Sequence, residues 1–282
     1  MIKLGVSSYS FHRYGKGPEK ELHDLLEVMS RAARFGFAGV ELLATDFEDT
    51  SVEYLAGLKF LAAKLGLDIA AVSCDNNFVK PDAVERRAQI DHVCRWIDIA
   101  SYLGSPLLRL LGGRWETIKD FSEFMEAEGE EPPIPGYTEI DANRWNDEGF
   151  AICAHYARMK GIVLAVETRW GFTGTAERAI RIVEAAATPF LRAALDIGNF
   201  PKDTYRQIEA VAPYAAHVHA KTYAGGGIFY TLDLDYERIV RKLRDVGYRG
   251  YVCLEYEGKE LPETGIPKGL EVLMAALERS RS

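Results

Sequence analysis

The chain has 282 residues and a mass of 31.5 kDa, with 48% hydrophobic and 27% charged residues, which are the proportions of a soluble globule and exclude intrinsic disorder. It can bury a full-sized core without disulfide staples. Acidic residues outnumber basic ones, 42 to 34, for a formal net charge of −8 and no basic stripe; the expected partner is therefore a small molecule and not a nucleic acid.

An apolar run at 2–8 (IKLGVSS) predicts the first strand. A helix over 19–35 follows, with Leu22, Leu25, Leu26, Met29, Ala32 and Ala33 on one face. The second strand, 39–44, leads to a helix introduced by the capping-box spacing of Thr50 and Glu53. The third, 69–74, leads to a helix that Pro81 opens and that runs to about Tyr102. After a fourth strand at 107–111 comes an acidic, proline-rich segment, 115–139, that hosts no convincing strand. It reads as a solvated excursion, a lid or a subunit contact, since long loops in compact domains often serve function. A helix over 140–160 follows. Strands at 162–167, 193–197, 215–220 and 251–256 then alternate with helices at 175–186, 203–212, 236–246 and 267–279.

Eight strands alternating with helices in one chain of this size favour a single (β/α)8 TIM barrel over an open doubly wound sheet, spanning 1–282 with an extended loop after strand 4. The residues after the first strand, SSYSFHRYGKG, lack the glycine spacing of a dinucleotide fold. A weak internal repeat agrees: FGFAGVE at 35–41 and VGYRGYVCLE at 246–255 each join a helix end to a strand carrying a glutamate. Gly36 and Gly247 suit the left-handed residue that ends a helix. No signal peptide or bilayer-spanning apolar run stands out, so a cytoplasmic location without a membrane partner is expected. Cys74, Cys94, Cys153 and Cys253 are spaced as free core thiols.

Active sites of such barrels lie at the C-terminal ends of the strands. Four consecutive strands end in metal-ligand types: Glu167 in LAVETRW, Asp196 in ALDIGNF, His217 and His219 in HVHAK, and Glu255 and Glu257 in CLEYEG. Clustered carboxylates repel one another unless a cation holds them. His219 lies nearer the mouth than His217, and Glu257 already enters the loop, which selects Glu167, Asp196, His219 and Glu255 as ligands. Three carboxylates and one imidazole favour one divalent ion, with Mn²⁺ the first expectation, Mg²⁺ and Co²⁺ close to it and Zn²⁺ admitted.

The order VETRW, DIGNF, HVHAK, CLEYEG resembles the xylose isomerase-like TIM-barrel superfamily, which includes tagatose 3-epimerase-type enzymes, inosose dehydratases and endonuclease IV. The resemblance runs from SSYSF and GFAGVEL to GYRGYVCLEYEG. It implies a sugar isomerase or epimerase in which Glu167 and Glu255 both ligate the metal and shuttle a proton on opposite faces of the substrate through a metal-bound enediolate. It also implies a sugar, keto-sugar or cyclic polyol as substrate, and a homodimer or homotetramer. Three departures bear on the reaction: Asn199 stands where the epimerases carry His, Gly225 where they carry Arg, and Lys221 follows His219 on the same face. These keep a dehydratase-like or keto-glycoside-cleaving lyase as the second reading. A non-catalytic sugar-binding or partner subunit is the third. Endonuclease IV is set aside, because Cys74-Asp75, Gly112-Gly113 and Asn199 occupy positions where it needs histidines.

Around the ligands, Lys221 is expected to steady an enolate as a catalytic cation. Arg169, Asn199 and His217 are candidate substrate contacts, with core or capping roles as their alternatives. Tyr9, Phe11 and His12 after strand 1, and Trp115 and Trp170 after strands 4 and 5, suit stacking on sugar C–H faces or simple packing. Glu41 sits low in its strand and is expected to pair with Arg109 across the barrel instead of ligating. Ala224–Gly227, AGGG, is the only glycine-rich stretch placed to cradle a phosphate.

Overall fold

The computed structural model describes residues 1–11 and 24–281. Eight strands pair in parallel in chain order: β1 (Lys3–Ser7), β2 (Gly39–Leu43), β3 (Asp68–Ser73), β4 (Leu107–Leu110), β5 (Val163–Glu167), β6 (Leu191–Asp196), β7 (Ala215–Thr222) and β8 (Tyr251–Tyr256). β8 closes on β1 through Lys3–Tyr251 to Val6–Leu254, so the sheet is a TIM barrel without edges. Around it lie α1 (Leu25–Phe35), α2 (Val52–Leu65), α3 (Ala83–Leu103), α5 (Glu139–Lys160), α6 (Ala176–Ala185), α7 (Thr204–Val211), α8 (Tyr236–Asp245) and α9 (Pro262–Arg279), with a short α4 (Phe121–Glu126) in the excursion. Among the described residues no helix is long and apolar enough to cross a membrane.

Strand parity divides the core. Val6, Val40, Leu42, Val72, Leu108, Leu164, Val166, Leu195 and Val218 are fully buried between sheet and helices. Each such side chain contributes about 1.5–3 kcal/mol relative to exposure. The barrel floor is filled by a separate cluster of three alanines and a leucine, Ala71, Ala165, Ala194 and Leu107. Gly39 is needed there, because a Cβ on it would lie 2.8 Å from the Tyr251 ring. Above this floor the interior is polar.

Several helix starts differ from the sequence reading, and the caps explain why. Asp24 caps α1 by accepting from the Leu26 amide, so the helix begins at Leu25. Leu26 is exposed and not on the buried face. Residues 19–23 of the expected helix, with Leu22, lie outside the described residues. Ser51, not Thr50, caps α2 through the Tyr54 amide at 3.3 Å. Asp82 caps α3 one residue after Pro81. α9 starts at Pro262, where a missing N–H costs nothing. Gly36 ends α1 at φ 94° and Gly247 follows α8 at φ 77°, the left-handed geometry that the repeat predicts.

The excursion after β4 is docked and not loosely solvated. Phe124 is buried edge-on against Trp170 at 5.3 Å, beneath the Arg114 guanidinium at 4.3 Å. The Glu131 carboxylate accepts from the Glu116 and Ile118 amides at 2.9 and 3.0 Å, and Gly129 accepts from the Gly171 amide at 3.3 Å. Glu130 pairs with Arg178 at 2.8 Å and Glu128 pairs with Lys202. Glu128 and Glu130 of this segment thus bind basic residues on the β5–α7 side of the mouth.

Candidate metal centre

Two register shifts aim the interior side chains. β2 slips against β3 between Val40 and Glu41, and β6 slips against β7 between Ala193 and Ala194. After the second slip Ala194 pairs with His217 and Asp196 with His219, so both histidines point into the barrel. β7 continues two residues further than expected, which keeps Lys221 in the strand, in register with Glu255.

Glu167, Asp196 and His219 are fully buried, with ligand atoms all within 4.8 Å of one another. His219 Nδ1 lies 3.4 Å from Glu255 Oε1 and 3.8 Å from Glu167 Oε1. The structure thus brings three of the four expected ligand residues, Glu167, Asp196 and His219, to one point at the mouth, with Glu255 beside His219. One atom facing it, His219 Nδ1, is buried without a hydrogen-bond partner. Such an orphan costs about 1–3 kcal/mol. Two carboxylates and an imidazole with an unsatisfied nitrogen among them fit a divalent cation.

The charges around this point are tightly opposed. Burial would raise the Glu167 carboxyl, but the guanidinium groups of Arg109 at 3.4 Å and Arg169 at 3.6 Å hold it well below the ordinary range. Burial pushes Asp196 up to about 7, with Lys221 opposing and Glu255 and Glu167 adding to the rise. Burial would lower Lys221, yet its Nζ sits 3.3 Å from Asp196, 3.2 Å from Glu255 and 2.7 Å from Glu257, and these carboxylates hold it well above the usual lysine value. His219 is likewise raised against its burial, by Glu255 and Glu41.

The remaining candidates divide. Asn199 is wholly engaged with its neighbours: its amide donates to Asp196 at 2.6 Å and to the Thr168 carbonyl at 3.0 Å, and its oxygen accepts from Tyr230 at 3.3 Å. Tyr9 donates to Glu257 at 3.0 Å, with its ring 5.9 Å from the Lys221 ammonium. Arg169 lies over the Trp170 ring at 4.2 Å, and both line a cleft of about 210 Å³ with Asp75, Asn76, Asn77 and Arg114. Trp115 is not brought to this cleft; it is buried edge-on against Phe172 and Trp145. His217 lies beneath His219, ring to ring at 5.0 Å. His12 lies outside the described residues.

Three features escaped the sequence reading. Glu41 does not pair directly with Arg109: it bonds His219 at 2.8 Å and His217 at 3.3 Å, and Ser73 stands between it and the guanidinium. Glu257 is 4% exposed and part of the cluster, because the bridge between Gly227 and Gly258 folds its loop over the mouth. Its shared parity with Glu255 was the available signal. The glycine stretch forms no phosphate cradle, since Gly226, Gly227 and Ile228 donate their amides to Tyr223, Thr231 and Glu257.

Residues 29–276 match the profile of a family described as xylose isomerase-like TIM barrel. No curated protein matches by sequence. Among solved structures, D-psicose 3-epimerase from Clostridium cellulolyticum H10 is 17% identical with a TM-score of 0.74, covering 99% of this chain and 98% of its own. An L-ribulose 3-epimerase is 18% identical at 0.77, covering 100% and 96%. The 3-keto-D-glucoside 4-epimerase of E. coli is 17% identical at 0.75, covering 98% and 100%. At these identities the likeness is one of fold.

Proposed function

The chain belongs to the xylose isomerase-like TIM-barrel family, and from that membership we propose that it is a divalent-metal-dependent sugar isomerase or epimerase that moves a proton next to a carbonyl. One observation carries the proposal: His219 Nδ1 is buried, without a hydrogen-bond partner, and directed at the carboxylates of Glu255 and Glu167 in the mouth of the barrel. Glu167, Asp196, His219 and Glu255 would hold the ion. When bound, it would polarise a carbonyl and an adjacent hydroxyl and acidify the C–H between them.

The chain's own groups supply the rest. Glu167, kept ionised by Arg109 and Arg169, is the carboxylate that would take a proton from carbon. Glu255 is the partner that returns one to the other face, which inverts the centre. Lys221 brings a positive charge to the oxygen on which negative charge grows, and Glu257 and Tyr9 hold that lysine in place. Arg169 and Trp170 offer a guanidinium and an aromatic face to the sugar in the adjoining cleft. A second reading, elimination of a β-hydroxyl, is favoured by the same Lys221 Nζ, an ammonium 2.7 Å from Glu257 whose charge would steady the departing oxygen while the proton taken from carbon leaves with the hydroxyl as water.

The test begins with metal content. Wild-type protein purified without chelator is expected to hold about one equivalent of divalent metal, and Glu255→Gln less. Keto-sugars incubated with the loaded enzyme in heavy water should then gain deuterium next to the carbonyl. Loss of the hydroxyl in place of exchange would select elimination. No metal uptake after Mn²⁺ addition would refute the proposal.

A further inference from the structure

Beneath the ligand cluster a line of buried polar contacts crosses the barrel. It starts at Glu41 on β2, a fully buried carboxylate 178 residues away in the chain from the histidine it contacts. Its Oε2 lies 2.8 Å from His219 Nε2 and 3.3 Å from His217 Nε2. Its Oε1 accepts a hydrogen bond from the Ser73 hydroxyl. Ser73 Oγ accepts in turn from Arg109 Nε at 3.1 Å, and the same Nε lies 3.4 Å from Glu167 Oε2. The line therefore ends on two of the four proposed ligands, His219 and Glu167.

Its chemistry has one direction. An ionised carboxylate only accepts hydrogen bonds, so His219 Nε2 must be the donor. An imidazole that gives its Nε2 proton to a carboxylate keeps the lone pair on Nδ1, free for a metal. Nδ1 is the ring atom that faces Glu255 and Glu167 and has no partner. At the far end, Arg109 is held between Ser73 and Asp75, whose Oδ1 is 3.0 Å from its NH1, and so presents a fixed donor edge to Glu167. The register slip at Val40/Glu41 skips Ala70 of β3 and pairs Ala71 with Glu41, which brings Ser73 onto the inward face that Glu41 shares.

We propose that Glu41 is a positioning residue of the metal centre, acting with Ser73 and Arg109 as one hydrogen-bonded unit that orients both His219 and Glu167. The inference rests on the metal reading above. It goes beyond that reading by assigning a role to residues that touch neither ion nor substrate. A rival arrangement, a second cation held by Glu41, His217 and His219, is disfavoured by distance. Two ligands of one tetrahedral zinc stand about 3.3 Å apart for Zn–N bonds of about 2.05 Å. The Glu41–His219 contact of 2.8 Å is a hydrogen bond.

Metal affinity, read by competition with a fluorescent Zn²⁺ chelator, tests the proposal without reference to turnover. Glu41→Gln is expected to weaken Zn²⁺ binding about 10–100-fold. Ser73→Ala should weaken it less, and the double variant should fall no further than Glu41→Gln alone, because both substitutions break one unit. Nitrogen-15 shifts in Zn²⁺-loaded wild type, a measurement that needs no variant, should show His219 protonated at Nε2 and metallated at Nδ1. An affinity of folded Glu41→Gln within twofold of wild type overturns the proposal. So does metal on Nε2, or a second equivalent of zinc bound at the histidine pair. Wild type that binds no divalent metal refutes the functional reading as well; wild type that binds one, with both variants unchanged, refutes this inference alone. If Glu41→Gln fails to fold, Ser73→Ala and the nitrogen shifts decide.

Discussion

Replacing Lys221 by Met should make the metal-free protein much less stable and its metal binding tighter. The ammonium is almost fully buried among three carboxylates, 3.3 Å from Asp196, 3.2 Å from Glu255 and 2.7 Å from Glu257. At an effective dielectric of about 20, each contact is worth about 5–6 kcal/mol before desolvation. Most of that is offset by stripping water from the four charges, so the net value of the cluster is modest. Removing one partner is different, because the carboxylates stay buried with less compensation. Breaking a buried pair in this way costs about 3–5 kcal/mol. For a chain of this size that corresponds to a fall in Tm of about 6–10 °C. Saturating Mn²⁺ should restore most of the loss, since the ion would supply the missing positive charge. The assay is thermal unfolding of wild type and Lys221→Met, each with chelator and with Mn²⁺, together with the metal Kd. Equal melting temperatures in chelator, or weaker metal binding by the variant, would refute this account of the cluster.

Three further outcomes follow from the same geometry. The raised Asp196 carboxyl sets a pH dependence: the metal-free folded chain keeps a proton that the unfolded chain has released, so this group's contribution to stability falls as pH rises from about 3.8 to about 7. Calorimetry at pH 6 in buffers of different ionisation enthalpy should show a proton released on metal uptake that disappears above pH 8; no release at pH 6 would contradict the assignment. Phe124→Ala should cost about 3–5 kcal/mol of local packing and free the excursion, read as faster proteolysis within 115–139 and a change in Trp170 fluorescence, while the barrel keeps its circular dichroism. Tyr230→Phe removes the hydroxyl that donates to Gly198 and Asn199, and should lower stability by about 1 kcal/mol and weaken metal binding through Asp196; unchanged metal affinity would show that Asn199 holds Asp196 unaided.

The β-branched runs, their spacing and the acid or imidazole near the ends of the last four strands were legible in the chain itself. In a closed parallel barrel, strand order follows chain order, and the C-terminal end of every strand faces one mouth. Local pattern was therefore enough to place Glu167, Asp196, His219 and Glu255 on one rim. Depth and partnership were not local. Glu41 was expected opposite Arg109, but a one-residue slip on β3 set Ser73 between them, and the closure of the ring brought His219 to Glu41. Glu257 counted as loop until the Gly227–Gly258 bridge buried it beside Lys221. The acidic excursion carried no strand or helix pattern strong enough to predict its docking, which depends on basic residues more than 40 positions away, Arg178 and Lys202 among them. A pattern of residue types sets which face of a strand a side chain occupies. Register, barrel closure and the pairing of distant charges set what that side chain meets, and these arise only when all eight strands are in place.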